Sequence, residues 1–220
     1  MDPCVAVERV SKRFGAICAL DDVSLTIRPG ERVAFVGANG SGKTTLMRAV
    51  MGLLDVQGRV LVGGLDVRAF PQRALRHLAY IPQVAPPLDA PAGELVRAAA
   101  GLRGISPART AELGELLGVD LKRIAQTRLR DLSGGTKQKL LAAMALAAEP
   151  RILVCDEPTA NLDAQAREAF FGLVARRPAD AVLILCSHRT EEVRQLVDRV
   201  VELGDGRVVR DARWGEEEAA

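Results

Sequence analysis

The residues Gly37-Ala38-Asn39-Gly40-Ser41-Gly42-Lys43-Thr44 combine backbone freedom, one cation and one hydroxyl in the order Gly-x-x-x-x-Gly-Lys-Thr. Glycines so spaced let successive backbone N–H groups curl around an anion, and a helix starting at their end adds its dipole. Lys43 supplies a point charge suited to the β- and γ-phosphates of a nucleoside triphosphate, while the Thr44 hydroxyl suits Mg²⁺. The stretch from Gly37 to Thr45 therefore reads as a P-loop. Its context is right: a strand over Arg32 to Val36 leads in, and a helix over Thr44 to Leu53, closed by Gly52, leads out.

A second set of chemistry-bearing residues follows the aliphatic run Ile152-Leu153-Val154-Cys155. A buried strand there delivers Asp156 and Glu157 at its carboxyl end, where parallel sheets place their ligands. Asp156 would hold Mg²⁺, directly or through water, and Glu157 would polarise the attacking water. The plainer reading, two acids capping a turn before Pro158, is weakened by the P-loop. The third set is Leu132-Ser133-Gly134-Gly135-Thr136-Lys137-Gln138, with Ser133 heading a helix that runs through Leu146. A serine cap followed by two glycines leaves backbone N–H groups open at the positive end of a helix.

With these residues the chain resembles the nucleotide-binding subunit of ABC transporters, whose Leu-Ser-Gly-Gly-Gln signature shortly precedes the second acidic motif. Ser133 stands 23 residues before Asp156, a separation that the family would predict. The resemblance runs along nearly the whole chain and implies further roles. Gln83 would sense Mg²⁺ and the attacking water, and Asp163, in Ala160-Asn161-Leu162-Asp163, would lie at a dimer interface, although it equally suits a helix N-cap. His188 would contact the γ-phosphate. Phe14 would stack on adenine, with packing inside an N-terminal sheet as the rival reading; His77 matches no motif and reads as a surface residue. Thr136 replaces the usual signature glutamine and Phe14 the commoner tyrosine, which puts one signature contact and one hydroxyl in question. The implied ligands are ATP, held by Phe14, Gly37 to Thr45, Ser133, Gly134, Gly135 and Asp163, and Mg²⁺, held by Thr44, Gln83 and Asp156. Glu157, His188 and Gln83 form the implied catalytic set. The implied partners are a second ATP-binding subunit, as a homodimer ahead of a heterodimer, and a membrane permease docking near Gln83 and a helical lobe. That places the chain on the cytoplasmic face of the inner membrane. An ABC-type ATPase acting on a macromolecule is the alternative, but no long coiled coil or basic extension supports it. A GTPase would need an Asn-Lys-x-Asp motif, which is absent.

The elements that must position these residues are legible in outline. Val5 to Val10 and Val23 to Ile27 alternate apolar and polar residues as half-exposed antiparallel strands do, and Arg59 to Val62 reads as a third strand. Glu94 to Leu102, Ala108 to Leu117 and Leu121 to Ala125 have helical spacing. Ile152 to Cys155 and Val182 to Cys186 are unbroken aliphatic strands, as a parallel sheet covered on both faces requires. Ala164 to Arg176 and Thr190 to Val197 read as helices, and Arg199 to Leu203 with Arg207 to Val209 as a closing hairpin. The expected fold class is α/β: a P-loop NTPase (RecA-like) core with an N-terminal antiparallel β subdomain and an inserted α-helical subdomain. Residues 1–83 and 136–220 would form the core with the β subdomain, 84–135 the helical subdomain, and 211–220 a flexible tail.

Composition narrows the partners. The 220 residues carry a formal net charge of +2 with Lys and Arg spread along the chain, so no nucleic acid is expected. Cys4, Cys18, Cys155 and Cys186 lack metal-site spacing and read as reduced structural thiols. The run Leu140 to Ala148 is far short of the roughly 20 residues that span a bilayer, and Met1-Asp2-Pro3 does not read as a signal peptide. Gly93 to Gly104 faintly resembles exporter-type ATPases, a weak lean toward export.

Overall fold

A computed structural model describes residues 4–187 and 194–214. In chain order, β1 (Val5–Phe14), β2 (Ile17–Ile27) and β3 (Arg32–Val36) are followed by α1 (Lys43–Val50), β4 (Gln57–Val62), β5 (Leu65–Asp66) and α2 (Pro71–Leu75). Then come β6 (Leu78–Ile81), α3 (Ala92–Arg103), α4 (Pro107–Leu116), α5 (Leu121–Ile124) and α6 (Gly134–Ala147). The last elements are β7 (Ile152–Asp156), α7 (Ala164–Ala175), β8 (Val182–Cys186), β9 (Arg199–Gly204) and β10 (Arg207–Arg213). The chain forms two compact units, one of Met1–Leu78, Arg151–Asp156 and Pro178–Ala220, the other of Ala79–Pro150 and Glu157–Arg177.

In the first unit, an antiparallel sheet has the order β2-β1-β4-β5, with Val5 opposite both Ile27 and Val62. The expected strands there prove short. β1 continues to Phe14 and β2 starts at Ile17, closing a hairpin about Gly15 at φ +58°. Residues 11–22 lack the alternation that announces a strand, Ala16 to Leu20 being an unbroken apolar run, but they pair with each other, and backbone pairing needs no apolar alternation. The second sheet has the run β10-β9-β3-β8-β7, in which β3 is parallel to β8 and β9, and β7 to β8. Every residue of β7 and β8 is buried, which is why both are unbroken aliphatic runs. Asp211, Ala212 and Arg213, expected in a flexible tail, instead pair with β9, and Asp211 holds the Arg199 guanidinium at 2.7 Å. The start of the expected Thr190 helix lies outside the described residues.

The second unit is largely helical. Ala92, Val96, Leu129 and Leu140 form its buried centre, with Leu95, Leu121, Ile124, Leu132 and Met144 packed around it. Leu140 and Met144 belong to α6, which packs on α4. The helix headed by Ser133 is thus part of this helical unit, whose bounds differ from 84–135. α7 buries Ala166, Phe170 and Val174. The side chains of Ser106, Asp120, Ser133 and Asp163 cap α4, α5, α6 and α7 respectively.

Candidate functional site

In the first unit, Gly37 to Gly42 join β3 to α1. Cys186 of β8 is level with both Phe35 of β3 and Asp156 of β7. Asp156 therefore stands at the same carboxyl edge of the sheet as the start of the loop. Gly42 caps α1 at φ +108° with no side chain closing the helix end. A Cβ there would lie 2.6 Å from the Ala19 carbonyl oxygen, so only glycine fits. The open N–H groups at this end form an anion site.

Lys43 is buried, and its ammonium donates to the carbonyls of Gly37 and Ala38 at 2.8 Å each. An ammonium has three protons, so these two bonds aim the side chain along the loop and leave one donor for a phosphate oxygen. Ser41 Oγ is buried with no partner among the described residues, a polar atom suited to a ligand in the loop. Ala38, Asn39 and Gly40 are exposed, as is Thr44, with Thr45 half-buried behind it. Asp156 is buried. Among the described residues no three His, Cys, Asp or Glu side chains gather as a metal cage. One hydroxyl and one carboxylate suit Mg²⁺, which prefers few protein ligands and completes its shell with phosphate oxygens and water.

Phe14 sits at the tip of the β1–β2 hairpin, 48% exposed, with Lys12 Nζ 5.2 Å from its ring centre. Phe14 is therefore not part of the buried core of that sheet.

In the second unit, Ser133 caps α6 and its Oγ accepts the Thr136 N–H at 3.2 Å. The Thr136 hydroxyl also lies 2.8 Å from Ser133 Oγ. A Cβ on Gly135 would come within 2.9 Å of the Asn161 carbonyl oxygen, so the signature backbone can lie this close to residues 160–163 only with glycine there. Asp163 caps α7 through the Ala166 N–H at 2.9 Å and pairs with Lys139 of α6 at 2.5 Å. The Lys139 hydrogen bond, and after it the Ala166 N–H, hold the Asp163 carboxyl below the usual range. Glu157 is buried in the left-handed region at φ +47°, and Gln83 is exposed.

Two residues have contacts that residue type and spacing did not announce. Gln138 and Lys139 sit just beyond the signature glycines and bind the segments carrying Gln83, Glu157 and Asp163. The helical phase of α6 was the available signal, since both stand within a turn or so of Gly135. His188 lies outside the described residues.

The ABC transporter family profile matches residues 20–160. The sulfate/thiosulfate import ATP-binding protein CysA of Burkholderia mallei is 38% identical over 93% of the chain, which spans 61% of that protein. The phosphonates import ATP-binding protein PhnC of Frankia casuarinae is 37% identical, with 96% of this chain and 91% of the relative covered. Among solved structures, the dimeric post-hydrolysis state of the ATP-binding cassette MJ0796 bound to ADP and Pi superposes with a TM-score of 0.82 at 25% identity. That match covers 95% of this chain and 98% of the other.

Proposed function

This chain belongs to the ABC transporter family, and from that premise we propose that it is an ATP-hydrolysing subunit that energises a separate membrane permease. The observation that carries the reading is the presence, in one chain, of a P-loop with a buried, aimed Lys43 and of a glycine-opened, Ser133-capped helix end. Each is half of a phosphate site, and two copies placed head to tail complete both.

The residue roles follow from chemistry. Gly37 to Thr45 cradle the phosphates, Lys43 donates its remaining N–H to a phosphate oxygen and sets its positive charge beside the β- and γ-phosphates, and Phe14 stacks on the base for about 1–3 kcal/mol. Thr44, Asp156 and Gln83 would hold Mg²⁺, which when bound offsets phosphate charge. Glu157 takes the proton of the attacking water, with Gln83 orienting that water and His188 meeting the γ-phosphate. Ser133, Gly134 and Gly135 grip the γ-phosphate of the second subunit's ATP, and Asp163 lies at the interface between subunits. Closure on ATP and opening after phosphate release would move the permease.

A homodimer is the simplest pairing, and the dimeric MJ0796 cassette supports a dimer. The permease would meet the helical lobe of residues 84–135 and its surroundings. An apolar groove of about 220 Å³ lined by Tyr80, Leu102, Ile105, Leu141 and Met144 supports this, as do the exposed Val84, Leu88 and Leu102. Among the described residues no helix is long and apolar enough to cross a membrane. The chain would sit on the cytoplasmic face of the inner membrane through that partner. Import is the better-supported direction, because CysA and PhnC are both named as import proteins.

Glu157→Gln tests the reading. ATP turnover falls by about 100-fold or more, while ATP binding persists. Turnover at the unmodified rate would remove Glu157 from the role of base.

A further inference from the structure

Gln138 lies on α6 and is 1% exposed. Its side-chain amide nitrogen donates to the Pro82 carbonyl at 3.1 Å and to the Pro158 carbonyl at 3.1 Å. An amide nitrogen carries two protons, so both are committed. The two acceptors are placed tellingly. Pro82 immediately precedes Gln83, and Pro158 immediately follows Glu157. One NH₂ group therefore fixes the separation of the segment that presents Gln83 from the segment that presents Glu157.

The backbone around Glu157 needs such a brace. Its φ of +47° is one that residues other than glycine hold only where the surroundings impose it. The proline ring at 158 stiffens the chain just after it. The clamp is also tied to the signature: Gln138 stands five residues beyond Ser133 along α6, roughly 7.5 Å of rigid helix at 1.5 Å per residue.

We propose that Gln138 is a positioning residue for ATP hydrolysis: its amide locks the Gln83 and Glu157 segments in one geometry and links that geometry to the signature helix. The inference rests on the reading of Glu157 as base and Gln83 as its water-orienting partner. Gln138 touches no reacting atom and acts through the two backbone carbonyls. A carbon side chain of similar volume keeps the packing of α6 and loses the fork. Lys43 and Thr44, which bind phosphate, belong to the other unit, so nucleotide affinity has no reason to change.

The test compares Gln138→Leu and Gln138→Met with the unmodified chain in ATP turnover, ATP binding and thermal unfolding, with Glu157→Gln measured alongside. A folded variant is expected to lose about 10- to 100-fold in kcat, as misplaced catalytic groups do, with KM for ATP within about threefold of normal by the same reasoning. Normal kcat in either folded variant overturns the proposal, as does a rise in KM that matches the loss of kcat. If neither variant folds, Gln138 is structural and the proposal equally falls. Should Glu157→Gln itself retain turnover, the reading of the base fails. An inactive Glu157→Gln beside a fully active Gln138→Leu condemns the clamp alone.

Discussion

The proton on Ser133 decides whether the signature can serve a phosphate. A hydroxyl has one proton and two lone pairs, and Ser133 Oγ already accepts the Thr136 N–H. If the Thr136 hydroxyl donates as well, across its 2.8 Å contact, both lone pairs are filled and the Ser133 proton points away from its own helix. That is the only polarity useful to a phosphate oxygen, which accepts and never donates. Thr136 thus gives the signature a different kind of support from the usual glutamine. In Thr136→Val the shape is kept and the hydroxyl lost; the expected result is about 3- to 10-fold more ATP for half-maximal subunit association, on the scale of one hydrogen bond, with unchanged thermal stability. Association at unaltered ATP concentrations would show that the hydroxyl does not orient Ser133. At this scale the P-loop and signature were legible because glycines, a lysine and a capping serine act through backbone freedom and fixed charge, both written in residue type. Gln138 was illegible because its partners are carbonyls 56 and 20 residues away, and any residue type has a carbonyl.

Among the elements, α6 and α7 are joined at their working ends by Lys139 and Asp163. The Asp163 carboxyl is held below its ordinary value by the Lys139 hydrogen bond first and the Ala166 N–H second. A carboxyl depressed on folding stabilises the fold fully above its unfolded value of about 3.9 and loses that contribution as pH falls through the folded value. Unfolding of the unmodified chain should therefore steepen with acid below about pH 4, where that linkage operates. Asp163→Asn, which still caps but cannot ionise, should show a shallower loss of stability than the unmodified chain in urea melts as pH falls below about 4, and no difference in slope between that pH and neutrality. Identical slopes would mean that the pair contributes nothing to folding. The helices α3 and α4 were legible from their spacing, and α6 from its Ser133 cap, since α6 buries Leu140, Ala142, Ala143 and Ala145 to Ala147 and so has no single apolar stripe. The hairpin tip carrying Phe14 was not, since residues 11–22 show no regular apolar alternation and pair chiefly through their backbones. Nor was the reach of β10: Arg199 collects Asp211, Glu31 and the Thr26 carbonyl, and no local pattern announces a partner so distant in sequence.

For the whole molecule, the α/β class followed from the aliphatic strands and a separate helical lobe from helical spacing, but the bounds of the two units did not. Where one unit ends depends on α6 packing against α4, a contact that helical periodicity cannot reveal. The same limit applies to assembly. In the proposed function the P-loop and the signature of one chain would each complete a site on a second copy, and the chain's small net charge of +2 places no strong repulsion in the way. The most direct measurement is the solution mass of the Glu157→Gln protein, by size-exclusion chromatography with light scattering, with and without ATP and Mg²⁺. The account predicts a shift from one subunit to two on adding ATP, and its loss when Ser133→Arg is added to the same protein. A single subunit at saturating ATP, or a dimer that survives Ser133→Arg, would contradict it.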